Sequence, residues 1–177
     1  ITLGNATGTD VSLSSMNTLG AFTLNASLEK DGAIDVARVS ASGATTVSLG
    51  TGMEYSASST HTGGNFTLTH AGGSGEINLH NVSAGGNMSV TLGAGSVGLV
   101  LAVSSALDIG VDGSLTINAA NSIQTDAISF NGGFVSASGI SIITGTSGDF
   151  DGGSAMNSNK GFSLTQSGSG NITLATT

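Results

Sequence analysis

The chain has no cysteine, proline or tryptophan, and its 177 residues include one tyrosine and three basic side chains, Lys30, Arg38 and Lys160. Without cysteine there are no disulfides and no thiolate metal sites. So few cations, in a chain of formal net charge −8, exclude the electrostatic footprint of a nucleic-acid or anionic-membrane binder and favour cations as partners. The longest apolar stretch, Val97 to Val103, is far too short to span a bilayer as a helix. With 8% charged and 4% aromatic residues, a core of large rings is unavailable, and the interior has to be stacked from many small aliphatic and β-branched side chains. The chain opens at Ile1 with no charged n-region and no hydrophobic h-region, so any signal has been removed or lies elsewhere, and the residues read as a segment of a longer protein.

What is present is a rhythm. Short β-branched and apolar runs recur at intervals of about eleven residues; they include Phe22 to Leu24, Thr45 to Leu49, Phe66 to Leu68, Met88 to Leu92, Leu115 to Ile117, Ile140 to Ile143 and Phe162 to Leu164. Gly, Ser, Asn and Asp separate them, in turns such as Gly63-Gly64, Gly85-Gly86, Asp112-Gly113 and Asn131-Gly132, which reach positive φ cheaply. Every second run repeats at roughly 22 residues; Gly64-Asn65-Phe66-Thr67-Leu68-Thr69 and Gly86-Asn87-Met88-Ser89-Val90-Thr91 match at that offset. No window carries a helical stripe. The reading is an all-β, parallel β-solenoid of roughly 22 residues per coil over residues 1–177 as one domain, with about eight coils in a rod near 40 Å long. An antiparallel β-sandwich is the alternative, since its strands share the spacing. The matched repeats and short runs favour the solenoid.

A solenoid end is a row of unpaired backbone donors and acceptors, and neither Ile1-Thr2-Leu3 nor Asn171-Ile172-Thr173-Leu174 reads as a helical cap. Flanking segments or other copies of the chain would cover such ends.

The strongest ion candidate is Ser147-Gly148-Asp149-Phe150-Asp151-Gly152-Gly153, where two carboxylates on a glycine-flanked turn can aim oxygens at one hard cation. Asp108 and Asp112 bracket a second such turn. Glu29, Asp31 and Asp35 form a third acidic cluster, which Lys30 and Arg38 can neutralise as solvated surface. Gly93-Ala94-Gly95-Ser96-Val97-Gly98 matches the dinucleotide fingerprint, but no helix start follows it. His61, His70 and His80 fall one run apart and could meet around zinc only if successive faces brought them together. Six Asn-x-Ser/Thr triplets begin at Asn5, Asn25, Asn65, Asn81, Asn87 and Asn171; for Asn65 and Asn87, stacking on neighbouring coils is the better account than glycosylation. Too few aromatic and basic residues are present to build a glycan-cleaving cleft, so no catalytic residue is assigned and the chain reads as non-enzymatic.

In composition and in phrases such as Gly64-Asn65-Phe66-Thr67-Leu68-Thr69 and Gly170-Asn171-Ile172-Thr173-Leu174, the chain resembles bacterial surface-layer proteins and large RTX-type surface proteins. The turn at Asp149 and Asp151 resembles a broken fragment of the RTX calcium nonapeptide. That resemblance implies secretion, an extracellular or cell-surface location, calcium-linked folding or lattice formation, and copies of itself as partners. The expected function is a self-assembling surface-lattice or filament subunit. An adhesin stalk or a phage tail-fibre spacer or receptor-binding domain is the alternative, a polysaccharide-acting β-helix enzyme ranks last, and glycan contact is a further expected partner.

Overall fold

The computed structural model describes residues 1–2, 7–8, 10–102, 109–119, 128–131, 134–145, 149–153, 155–166 and 168–174. In chain order the strands are β1 (Val11–Thr18), β2 (Phe22–Lys30), β3 (Ala33–Ala41), β4 (Thr45–Thr51), β5 (Glu54–Ala57), β6 (Thr60–Thr62), β7 (Phe66–His80) and β8 (Val82–Ala84). They continue as β9 (Met88–Ala102), β10 (Ile109–Asn118), β11 (Ile128–Asn131), β12 (Phe134–Thr144), β13 (Phe150–Gly152), β14 (Ala155–Ser158), β15 (Phe162–Gln166) and β16 (Ile172–Leu174). Every pairing between them is parallel, and the chain is a β-solenoid of about 6 turns with neighbouring strands roughly 22 residues apart.

Three sheets form its sides. The first stacks β2, β4, the start of β7, the start of β9, and the later parts of β10 and β12 beneath β15. The second runs through the starts of β1 and β3, then β5, the ends of β7 and β9, β11, β13 and β16. The third takes the ends of β1 and β3, then β6, β8, the starts of β10 and β12, and β14. Each coil visits the three in that order.

Alternation along each strand sends every second side chain inward, and in-register stacking turns those positions into columns. Leu24, Val47, Leu68, Val90, Ile117 and Ile142 form one such column, each completely buried. Burying each of these side chains contributes about 1.5–3 kcal/mol, which a chain nearly free of aromatics obtains by repetition.

Two features depart from the sequence expectation. The turns number about 6 rather than about eight, in part because some coils are wider: the step from Asn87 to Ser114 spans 27 residues, where that from Asn65 to Asn87 spans 22. In addition, β7 and β9 each run for 15 residues instead of breaking into short runs. They turn the corner between the first and second sheets while still paired, with Gly72 opposite Ala94 and Gly73 opposite Gly95. Gly72, Gly73 and Gly95 take φ of 117°, 88° and 122°, which lets both strands bend together.

Candidate functional site

Among the described residues, corner side chains tie one coil to the next by hydrogen bonds. Asn65 Oδ1 accepts from the Asn87 N–H at 2.9 Å, and Asn87 Oδ1 accepts from the Ser114 N–H at 2.9 Å. Asp10 Oδ1 accepts from the Ala33 N–H at 3.1 Å, and Asp149 Oδ1 from the Asn171 N–H at 2.6 Å. A short side chain with an oxygen acceptor fits each place because it satisfies the amide that begins the next run. Asn65 and Asn87 thus do sit at equivalent places on neighbouring coils, joined amide to backbone. Replacing Asn87 by Ala is expected to lower stability by about 1 kcal/mol, read as a shift in the thermal or urea midpoint.

Asp149 is therefore partly committed to holding the next coil. Asp151 lies on β13 in register with Ser129 and Thr173. Calcium takes about 6–8 oxygen ligands, so a calcium ion bound here would draw most of them from beyond these two carboxylates. Asp112 is exposed and lines a separate hollow on the third side with Ser136 and Asn157, while Asp108 lies outside the described residues. Among the described residues, no three His, Asp or Glu side chains are grouped so as to hold a metal ion.

The third acidic cluster divides. Asp31 and Asp35 are exposed, but Glu29 is 1% exposed and its Oε2 has no hydrogen-bond partner among the described residues. The register of β2 on β4 shifts between Ala26 and Lys30, which leaves Leu28 62% exposed and turns Glu29 inward. Asp10, Asp31 and Glu54 line a shallow hollow at the corner beside the second side, and Asp35, Glu54 and Glu76 line the next one along. That corner and side are strongly anionic. The outward positions of the first side differ: Thr46, Thr67, Ser89 and Thr116 in one register and Ser48, Thr69 and Thr91 in another carry hydroxyls and no charge.

The three histidines do not meet. His61 is exposed on β6, His80 ends β7, and His70 is buried in the core, in register with Leu49 and Leu92. The Gly72 N–H donates to His70 Nδ1 at 3.0 Å, so the ring proton sits on Nε2, which donates to the Met53 carbonyl at 2.8 Å. Burial lowers the His70 pKa below the ordinary histidine value, and the bond to Met53 pulls the other way. Tyr55, also in the core with its hydroxyl unpartnered among the described residues, has its pKa raised by burial. The segment Gly93 to Gly98 lies inside β9, whose strand continues to Ala102 where the dinucleotide fingerprint would start a helix, which removes the dinucleotide reading. No described helix is long and apolar enough to cross a membrane.

The last coil breaks the pattern of burial. Ile140 and Phe150 are buried, yet their partners one coil on, Phe162 and Ile172, are 44% and 46% exposed, and Leu174 is 55% exposed. These inward-column side chains lie on the last described coil, where β14, β15 and β16 have no further strand paired on their outer edge among the described residues.

The fold defines the chain as a three-sided parallel β-solenoid. Comparison with protein-family models, curated proteins and solved structures returned no match.

Proposed function

We propose that this solenoid is a structural, non-enzymatic module of an extracellular or cell-surface protein that self-assembles into a lattice or filament. Supporting this reading are the hydroxyl columns of the first side, repeated from coil to coil, and the last described coil, where Phe162, Ile172 and Leu174 are exposed at an edge that following residues or another copy would cover. Any strand laid on that edge in parallel satisfies its backbone and covers those side chains. Further coils do so within a longer chain, and another copy does so in an assembly. The outward hydroxyl columns of the first side allow lateral contact between copies away from the carboxylates of the second side, and repetition lets weak contacts add.

The test is negative-stain electron microscopy of the purified chain across a concentration series, with calcium and after chelation. Ordered filaments or sheets are expected. Their dissolution on chelation would add calcium to the assembly and give Asp149 and Asp151 a ligand role, whereas indifference would leave a metal-free assembly. Single particles under every condition would overturn self-assembly in favour of a stalk or tail-fibre spacer.

A further inference from the structure

His70 is the one histidine in the core, and it sits where a coil bends. Around it the backbone of two adjacent coils closes a small network: Nε2 donates to the Met53 carbonyl, the Gly52 N–H donates to the Gly72 carbonyl, and the Gly72 N–H donates to Nδ1. Met53 and Gly52 belong to the turn between β4 and β5, and Gly72 to the bend within β7. The ring therefore links the two coils through one nitrogen and holds its own bend through the other.

We propose that His70 is an acid-sensitive latch: protonating Nδ1 expels the Gly72 N–H, places a charge in the apolar column between Leu49 and Leu92, and opens this corner locally. Nδ1 cannot accept the Gly72 N–H and carry a proton at once. A buried imidazolium would also need a counter-charge. Its ladder neighbours β4 and β9 contain no titratable residue. Carboxylates on the other elements around it are Glu29 at the end of β2, Asp31 beside the turn, Glu54 on β5 and Glu76 on β7; the last three are exposed. Because coils in a solenoid contact chiefly their neighbours, opening at one corner need not unfold the rod.

The sign follows from the lowered pKa. Above the ordinary histidine pKa the latch is fully closed, and its contribution falls as pH drops from there through the folded-state value. The experiment is amide hydrogen exchange by NMR on the whole chain between about pH 7 and about pH 4, with ring-nitrogen shifts recorded in parallel. In the wild type the Gly72 protection factor is expected to fall about tenfold or more as Nδ1 becomes protonated. The variant His70→Gln, whose amide can donate to Met53 and accept from Gly72 without titrating, should hold Gly72 protection level across the same range. Constant protection at Gly72 in the wild type would overturn the proposal, and so would equal loss in His70→Gln, which would assign the effect to carboxylates. Should the variant fold poorly, the wild-type ring shifts still decide: loss of Gly72 protection while Nδ1 remains unprotonated would also overturn the latch.

Discussion

Gly72→Ala is expected to destabilise the solenoid by about 3 kcal/mol, or roughly 6–12 °C in thermal midpoint for a chain of this size. Two independent penalties combine. At φ of 117° the backbone lies where L side chains are strained, and a Cβ there would land on the carbonyl oxygen of Ala94 in the coil above. Neither can relax alone, because Gly72 and Ala94 are paired within a ladder from β7 to β9 that keeps the same register on both sides of them. Gly110→Ala is the control: a Cβ there meets nothing within 4 Å, so the change should stay within about 0.5 kcal/mol. Urea unfolding of the two variants separates a steric corner from a general intolerance of glycine replacement.

Phe66→Ala is expected to cost about 3–5 kcal/mol, since the ring is completely buried and its removal leaves a cavity between Thr45 and Met88. Phe162→Ala removes the same ring from the same inward column on the last coil, where it is 44% exposed, and should change the stability of the isolated chain by about 1 kcal/mol or less. If the open end is an assembly surface, the order reverses in solution: Phe162→Ala should raise the concentration needed for assembly by about tenfold or more. Thermal melting reads the first comparison and light scattering the second. A Phe162→Ala variant that assembles like the wild type would remove the end from the interface.

Where sequence alone was enough, the reason is parallel in-register stacking. It places equal kinds of residue at equal offsets, so the match between Phe66 and Met88, and between Leu68 and Val90, is legible as a period in the sequence itself. The spacing grouped His70 with His61 and His80; its place two and four residues after Leu68 and Phe66 on β7 is what the structure turns inward. Those three are a run apart, and successive runs lie on different sides of the coil.

Sequence by itself determined the β class and the repeat of roughly 22 residues, because these are one-dimensional patterns, and left open which side chains of each run point inward. Tertiary structure decided what depends on the coil lying next to each residue. The shift between Ala26 and Lys30 exchanged the places of Leu28 and Glu29, against the hydropathy of both. The bend at Gly72 and Gly73 joined two runs into one strand, because the facing strand bends at the same place. Asp149, a cation candidate in one dimension, became the acceptor for Asn171 because the next coil brings an amide within 2.6 Å. A one-residue change of register redirects every side chain that follows it, and only the ladder of neighbouring strands sets where such changes fall.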